Sequence, residues 1–346
     1  MDKINIYVPE NVGRILNSDA SLFEIFKRDG RTANRNRFLS MLITGYYDQY
    51  VAEYQEKYDA ILKIMSAVKP EGLRSQMADE ILKKVILPEV PTRKGKNPQK
   101  LSLKPTRDTE SLIIKIMNDL GDSDYISQYF CRLLMSYCER PMSEREQIIF
   151  RNNYETLTLT DACKTGHTIA FTTIWNKAVI HEVVPYKVVV GQGEMFNYLI
   201  CAERYIKTGV QGTKSYRLNR ITNLNYSSKM DTISESVNEY LGMMLKYGPE
   251  YAINDNEESC VRLNDYGVKS FNRIYYGRPI VDHIDNKKDG HYYYFRGSTD
   301  QVFFYFRKFG YKDACVIAPK VLRDKMITFH KSSLTTYYEG EDSDEF

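Results

Sequence analysis

The sequence predicts an α+β multidomain chain, and three observations support this prediction. At 346 residues the chain is longer than one ordinary hydrophobic core supports. Apolar residues recur at helical spacing through most of the first 140 residues, whereas residues 183–224 alternate as strands do. The last hundred residues mix both patterns. We therefore expect a helical N-terminal region, a central β-domain and a mixed C-terminal domain.

The composition narrows the class of protein. The formal net charge is only +3, so any basic surface must be local, and tyrosine is abundant at 28 residues. The six cysteines form no CxxC pair, which argues against a disulfide framework or a zinc site and favours a reducing cytoplasm. Neither an apolar signal region nor a run of transmembrane length occurs, so no membrane association is expected.

The stretch from Val183 to Leu224 organises the rest of the chain. A β-branched run, residues 183–190, precedes Gly191 and Gly193, which allow a tight hairpin. A second run, residues 195–202, has the alternation of a strand. A third strand is predicted over residues 215–221. The three runs together predict a small twisted sheet. Residues 157–162, 168–175 and 179–185, which begin before them, are also predicted as strands.

Basic and aromatic residues lie along this predicted sheet. Arg217 and Arg220 would point to opposite faces of the third strand, and Arg204 ends the neighbouring one. A guanidinium grips a phosphate through two parallel hydrogen bonds, and tyrosines beside cations stack on bases. The predicted nucleic-acid-binding residues of the sheet are Arg204, Arg217, Arg220, Tyr186, Lys187 and Tyr216. Surface salt bridging, or packing against the tyrosines, is the alternative for the arginines.

These residues resemble a WYL domain. The resemblance rests on Tyr198-Leu199, on Arg204 and on the run from Tyr216 to Ile221, although Asn197 replaces the tryptophan of the eponymous tripeptide. It implies an Sm-like, SH3-type β-barrel over residues 141–230 that senses a ligand or nucleic acid. It also implies that Arg217 faces the ligand cleft and that Arg220 braces the barrel.

The N-terminal region, residues 1–140, holds two similar segments. Lys3 to Val8 alternates as a strand, and two helices follow up to about residue 50. Residues 101–105 repeat the strand followed by proline, and two more helices extend to Cys138. Each segment resembles half of a ribbon-helix-helix unit, so we interpret 1–50 and 99–140 as diverged half-units that pair within the chain. Chance similarity is the competing explanation.

A basic run between the half-units has two interpretations. Residues 92–107 contain six lysines or arginines and no acid, which is typical of a solvated linker. The ribbon-helix-helix resemblance implies instead that the outward ribbon face enters a nucleic-acid groove. The residues on this face would be Lys3, Asn5, Tyr7, Lys100, Ser102 and Lys104.

The C-terminal region, residues 231–338, is predicted to be an α/β unit. Strands are expected at 260–263, 292–295 and 314–318, with a phenylalanine-rich helix over 300–309. This order resembles the extension that follows WYL domains and implies a homodimer. The last eight residues, 339–346, form an acidic tail that should be disordered.

No catalytic constellation is found. Val281-Asp282-His283-Ile284 matches the start of an HNH nuclease motif, but no suitable metal-binding Asn and His follow, so a polar turn is the simpler interpretation. Neither a Gly-x-Ser-x-Gly elbow nor a Walker lysine loop occurs. We therefore predict no enzyme activity, no metal and no cofactor.

Taken over its whole length, the chain resembles the WYL-domain accessory proteins of type VI-D CRISPR loci. That resemblance implies a cytoplasmic, non-enzymatic homodimer that binds single-stranded RNA and stimulates the RNA-guided RNase of the locus. The alternative is a DNA-binding transcription regulator whose WYL domain is the sensor. The sequence does not separate RNA from DNA, because Arg, Lys and Tyr bind both.

Overall fold

The computed structural model describes residues 2–91, 98–120, 123–151, 158–193, 195–205, 207–310 and 312–339. The chain divides into two compact units, Met1–Asn152 and Asn153–Phe346. In the described parts of the chain, helices combine with three antiparallel sheets, so the α+β multidomain prediction is confirmed. Part of the basic run, residues 92–97, and the acidic tail from residue 340 lie outside the described residues.

The described residues of the first unit form two strands and a set of helices. Its strands are β1 (Ile4–Val8) and β2 (Gln99–Leu103). Its described helices are α1 (Glu10–Leu22), α2 (Arg35–Ile64), α3 (Glu71–Ile81) with a short π-helical continuation (Leu82–Ile86), α4 (Arg107–Leu120), α5 (Ser123–Cys138) and α6 (Met142–Ile149).

The two strands of this unit form one antiparallel ribbon within a single chain. Ile4 is opposite Leu103, and Tyr7 is opposite Lys100. Ile6, Val8, Leu101 and Leu103 are buried under the helices, while Asn5 and Lys100 are exposed. One face of the ribbon therefore belongs to the core and the other faces solvent, as the period of two requires.

Helices α2 and α5 build the core below the ribbon. Phe38 and Tyr46 of α2 meet Tyr137 of α5 edge to face, with ring centroids 6.3 Å apart in both pairs. Phe130 and Leu134 of α5 are fully buried beside them. Side chains from residues about a hundred positions apart thus share one core, which ties the two segments together.

The second unit contains nine strands in two sheets, counted over its described residues. The five-stranded sheet comprises β3 (Ile169–Thr173), β4 (His181–Val190), β5 (Asn197–Arg204), β6 (Gln211–Arg217) and β7 (Ile221–Tyr226). The four-stranded sheet comprises β8 (Ser259–Leu263), β9 (His283–Lys287), β10 (Gly290–Phe295) and β11 (Ala314–Ala318). The helices are α7 (Thr158–Thr165), α8 (Glu235–Tyr247), α9 (Asp265–Arg273), α10 (Thr299–Phe306) and α11 (Lys320–Glu339).

The five-stranded sheet has the order β6-β5-β4-β3-β7 and is packed on both faces. Leu199 and Cys201 pack toward α7, while Ile200 and Ala202 pack under α8. The WYL resemblance implies an SH3-type barrel. Among the described residues, β6 and β7 are separate edges that share no ladder, so the sheet is open there. The 3-10 turn Leu218–Arg220 carries the chain from β6 to β7, which pairs with β3.

Two sequence-based assignments in this sheet were wrong. The run 157–162 was predicted as a strand, but residues 158–165 form α7. Leu159 and Ala162 are buried three positions apart, which is helical spacing. The strand predicted over 215–221 ends at Arg217, so alternation does not set the directions of Leu218 to Arg220.

The four-stranded sheet is built by a β-α-β-β-α-β segment. The strand order is β11-β8-β10-β9 and every pairing is antiparallel, which is the ferredoxin-like arrangement. Helices α9 and α10 pack Phe271, Tyr305 and Phe306 against the inward residues of the sheet. Tyr293 belongs to this core, whereas Tyr292 and Tyr294 lie on the opposite face, half-buried.

Candidate nucleic-acid interface

A cleft of about 850 Å³ opens where β4 begins and β5 ends. The β5–β6 hairpin lines one side of it, and the segment before α8 lines the other. Four cations reach the cleft, and three acids accompany them. Which cations can meet a ligand therefore depends on how the acids are paired. The charged residues are Arg204, Lys207, Lys214, Lys229, Glu182, Glu203 and Asp231.

Two of the cations are held by acids. Arg204 donates Nε to Asp231 Oδ2 at 2.6 Å and Nη2 to Oδ1 at 2.8 Å, and it also donates to the Gly209 carbonyl. This hydrogen bonding lowers the pKa of the Asp231 carboxyl. Lys229 pairs with Glu182, and the hydrogen bond that it donates lowers the pKa of that carboxyl. Arg204 therefore forms a salt bridge in the structure, which is the alternative to nucleic-acid binding that the sequence left open.

The third acid belongs to a hydrogen-bonded trio. Tyr216 donates its hydroxyl to Glu203 Oε2 at 2.6 Å, and His181 Nδ1 lies 2.9 Å from Glu203 Oε1. The ring of Phe171 packs edge to face on Tyr216, with centroids 5.0 Å apart. Burial, followed by the bond to Glu203, raises the pKa of the Tyr216 hydroxyl. Tyr216 thus closes the floor of the cleft and offers little free ring surface.

Lys207 and Lys214 are the cleft cations that pair with no acid among the described residues. The Lys214 ammonium lies 5.0 Å from the ring centroid of Tyr205, which is 37% exposed. This is the pairing of cation and aromatic ring that the sequence predicts for the sheet, but it involves other residues. The signal in the sequence is the short connection between Tyr205 and Lys214, which brings both side chains to the same cleft.

The structure does not bring the three predicted arginines together. Arg204 is opposite Gln211 and Arg217 is opposite Tyr198, at the two ends of the β5–β6 ladder. Six residues of strand separate them, or about 20 Å. The Arg217 guanidinium lies 3.4 Å from the centroid of the buried Phe196 ring. Arg220, half-buried, lies in the 3-10 turn.

Two predicted residues on β4 have different environments. Tyr186 is half-buried, lies at a β-bulge between Pro185 and Lys187, and packs against the core under α8. Lys187 is exposed. Neither residue lines the cleft, so the sheet surface that the sequence predicts is distributed over several places.

The outward face of the ribbon is a second basic surface. Lys3, Lys100 and Lys104 are exposed, and none of them forms an ion pair with a described acid. Ser102 donates its hydroxyl to the Asn5 side chain at 3.2 Å across the ribbon. The Asn36 amide holds the backbone of Lys104 through two hydrogen bonds of 2.7 and 3.0 Å. This surface contains the six residues that the sequence assigns to it.

The motif at Asp282 and His283 lies near a third polar group. Glu258, Asp282 and His283 offer ligand atoms within 4.8 Å of one another. Arg296 lies 3.4 Å from both carboxylates, and His283 is stacked on Tyr294. The arginine supplies the compensating positive charge, so these contacts explain the cluster as an ion-pair network. The polar-turn interpretation was wrong, because His283 begins β9.

The fold and these surfaces define a two-unit α+β protein with basic patches in both units. The chain shares its fold with a crystal structure of a CRISPR Cas-related protein: the TM-score is 0.66 at 20% identity, and 98% of this chain and 95% of the other are covered. A second solved structure, proteasome accessory factor B/C (PafBC) of Arthrobacter aurescens, aligns at a TM-score of 0.24 and 14% identity, over 54% of this chain and 27% of the other. That second similarity is too low to support an argument.

Other comparisons are negative. The sequence matches no protein-family model and no curated protein. Among the described residues, no helix combines the length and the apolar character that crossing a membrane requires.

Proposed function

We propose that this protein is a non-enzymatic accessory protein of a CRISPR system that binds single-stranded RNA and raises the activity of a type VI-D RNA-guided RNase. The observation that carries the proposal is the fold shared with a CRISPR Cas-related protein over nearly the full length of both chains. A similarity that extends through both units supports a common architecture, rather than one widespread domain reused in an unrelated protein.

The central sheet supports the WYL assignment. Helix α7 precedes five strands whose spatial order is β6-β5-β4-β3-β7. A 3-10 turn joins β6 to β7 along the chain. This order resembles the Sm-like fold of WYL domains, although the sheet is open. The tripeptide at Asn197, Tyr198 and Leu199 is buried, as a structural motif should be.

The cleft supports a single-stranded ligand. Lys207 and Lys214 supply positive charge with no acid partner among the described residues, and Tyr205 exposes a ring beside Lys214. Unpaired strands are bound by neutralising phosphates and by stacking bases on aromatic rings, and duplex bases are not available for such stacking. We therefore assign the binding of single-stranded RNA to this cleft.

Titrations with matched ligands test the proposal. Full-length protein should bind single-stranded RNA more tightly than duplex DNA, and the affinity should fall steeply between about 50 and about 200 mM salt. Adding the protein to a purified type VI-D RNase with its guide should increase the rate of RNA cleavage. Unchanged cleavage together with undetectable RNA binding would reject the proposal.

The ribbon favours a second function, a DNA-binding regulator. Two-stranded ribbons read DNA grooves in several regulators, and Lys3, Lys100 and Lys104 face solvent here. Under this alternative, the double variant Lys100→Ala with Lys104→Ala loses duplex DNA binding and keeps RNA binding. Tight duplex binding by the parent protein, with weak RNA binding, would favour the regulator.

We also propose a homodimer, which the resemblance to WYL extensions implies. Helix α11 exposes Val321, Ile327 and Leu334 along its length, and these apolar side chains offer area for a second copy. Light scattering at micromolar concentration should give twice the chain mass of 40.4 kDa. A mass equal to one chain would exclude the dimer.

A further inference from the structure

A second cavity, of about 520 Å³, lies within the C-terminal unit and away from the basic cleft. It forms where the tip of the β4–β5 hairpin meets the loop that follows α9. A Cβ on Gly193 would lie 3.0 Å from the backbone nitrogen of Gly277, so the two backbones touch there. Its volume falls within the range of about 300–1,000 Å³ that is usual for small-ligand sites.

The floor of this cavity holds two polar groups with unused hydrogen-bonding capacity. Glu250 accepts from the Gly193 backbone through Oε1 at 3.0 Å, but its buried Oε2 has no partner among the described residues. The Gln301 side chain is 7% exposed and forms no hydrogen bond within the described chain. A Cβ on Gly248 would lie 2.9 Å from Glu250 Oε2 and 3.7 Å from Gln301 Oε1. An acceptor and an amide thus lie over the same glycine.

Such groups are expensive to bury without partners. Glu250 Oε2 is such a group, because a carboxylate oxygen that is buried without a hydrogen bond loses the bonds that water would otherwise donate to it. A ligand that donates an N–H to Glu250 and complements the Gln301 amide would remove that cost. An exocyclic amine on a nucleobase fits these two groups, because its two N–H donors can serve Glu250 Oε2 and Gln301 Oε1 together, whereas uracil offers one N–H between two carbonyl acceptors.

The walls and rim of the cavity match the rest of a nucleotide. Tyr251 and Phe304 stack with ring centroids 6.0 Å apart and planes 27° apart, and Tyr275 is 78% exposed at the opening. Arg278 and Lys308 are exposed on the rim, and neither forms an ion pair with a described acid. Aromatic rings stack on a base, and unpaired cations attract a phosphate.

We propose that this cavity binds a nucleoside phosphate whose base carries an exocyclic amino group. Glu250 and Gln301 read the edge of the base, the tyrosines stack on it, and Arg278 with Lys308 holds the phosphate. The same chemistry is offered by a free mononucleotide and by one base of a single strand. The site is independent of the RNA-binding cleft and does not require it.

Calorimetric titration of the full-length protein with adenosine, cytidine, guanosine and uridine monophosphates tests the proposal. The three amine-bearing nucleotides should bind about tenfold or more tightly than uridine monophosphate, the effect of one lost hydrogen bond to a charged group. Lys308→Ala and Tyr275→Ala should each weaken binding about fivefold or more. Lys320→Ala, which removes an exposed lysine on α11, is the matched control and should change nothing.

Glu250→Gln keeps an acceptor for Gly193 and should abolish the preference for amine-bearing bases. Should that variant fail to fold, Tyr275→Ala still decides, because its ring is largely exposed. A second experiment uses six-nucleotide single strands as ligands. If Lys308→Ala and Tyr275→Ala weaken the binding of these strands while mononucleotides do not bind, the cavity binds one base of a strand.

Three results would overturn the proposal. They are uridine monophosphate binding as tightly as the others, inorganic phosphate competing as well as a nucleotide, and neither mononucleotides nor strands responding to the cavity variants. The double variant Lys207→Ala with Lys214→Ala separates the two sites. If this double variant loses RNA binding while neither mononucleotides nor strands respond to the cavity variants, the RNA-binding function holds and the cavity proposal fails. If RNA binding is absent while mononucleotides bind the cavity, the cavity proposal holds and the RNA-binding function fails.

Discussion

Arg145 holds the carboxylate of Asp19 through two parallel hydrogen bonds, Nε to Oδ2 at 2.7 Å and Nη2 to Oδ1 at 2.9 Å. The Asp19 side chain is 1% exposed and also accepts from the Tyr137 hydroxyl at 2.9 Å. The pair joins α6 to α1 inside the N-terminal unit. Because the carboxylate is so deeply buried, Arg145 supplies the compensating positive charge that water cannot.

Arg145→Met should therefore lower the free energy of unfolding by about 3–5 kcal/mol, the cost of leaving a buried charge unpaired. Urea unfolding followed by circular dichroism measures it. Arg14→Met removes an exposed arginine that pairs with Glu10 at 3.8 Å, and this control should stay within about 0.5 kcal/mol of the parent. A loss below about 1 kcal/mol for Arg145→Met would contradict the role given to the pair.

A fragment of residues 1–152 should fold as a monomer. The two ribbon strands are already paired within one chain, so no second copy is needed to complete the sheet. Its melting temperature should not change with protein concentration, since a folding equilibrium without association contains no concentration term. A fragment ending at residue 140 lacks Arg145 and should melt at a lower temperature. A concentration-dependent melting temperature for 1–152 would indicate intermolecular pairing.

Replacing Lys207 and Lys214 together with alanine should weaken single-stranded RNA binding and flatten its salt dependence. Each phosphate contact contributes about 0.7 to the slope of log affinity against log salt on single strands, so the slope should fall by about 1.4. Fluorescence anisotropy at several salt concentrations measures both effects. The double variant Lys320→Ala with Lys331→Ala removes the same charge from α11 and should leave the slope unchanged.

Arg217→Ala should affect stability rather than RNA affinity. Its guanidinium lies 3.4 Å from the centroid of the buried Phe196 ring, so truncation removes packing and a desolvated cation–π contact worth about 2 kcal/mol. We expect a loss of about 1–2 kcal/mol in unfolding free energy and RNA affinity within about twofold of the parent. Arg273→Ala, an exposed arginine on α9, is the control. Weaker RNA binding at unchanged stability would restore the ligand role that the sequence suggests for Arg217.

Asp231→Asn should strengthen RNA binding. The carboxylate holds Arg204 at the cleft, and removing its charge frees a guanidinium for phosphate, which we expect to raise affinity about three- to tenfold. Asp255→Asn changes the net charge equally at an exposed site outside the cleft and should have no effect. Equal affinities for the two variants would show that Arg204 does not reach the RNA.

The pairing of Arg204 with Asp231 also makes the stability of the fold depend on pH, with a sign that follows from the pKa shift of Asp231. Because Arg204 lowers the pKa of Asp231, the pair stabilises the fold above the ordinary carboxyl pKa, and this contribution is lost as pH falls through the lowered value. Asp231→Asn lacks that acid-dependent loss. Unfolding curves of parent and variant should therefore converge as pH decreases below the ordinary range of an aspartate.

Local patterns predicted those elements that have one buried face. Ile6 and Val8 alternate with polar residues, as Leu101 and Leu103 do, and both runs form strands. Strand β9 was missed because all five of its residues are exposed, and only pairing with β10 makes it a strand. Helix α7 was missed because a short apolar run does not reveal its period.

The candidate sites were harder to predict, because they depend on partners distant in sequence. Arg204 looks like a free ligand-binding arginine until Asp231, 27 positions later, is placed beside it. Lys214 looks unremarkable until the hairpin lays it next to Tyr205. Residue types identify which side chains bind anions, but the tertiary structure decides which of them are already neutralised.

The ribbon pairs β1 with β2 of the same chain, and this pairing has a consequence for any nucleic acid that its outward face would bind. Symmetric dimers present two identical strands and therefore favour palindromic targets. Here the solvent face carries Asn5 and Tyr7 on one strand against Ser102 and Lys100 on the other, so its two halves have different chemistry. Any nucleic-acid sequence that this face selects should therefore be asymmetric. Sequences enriched from a random pool by binding to the protein should lack inverted repeats. Each half is also free to change by mutation without altering the other.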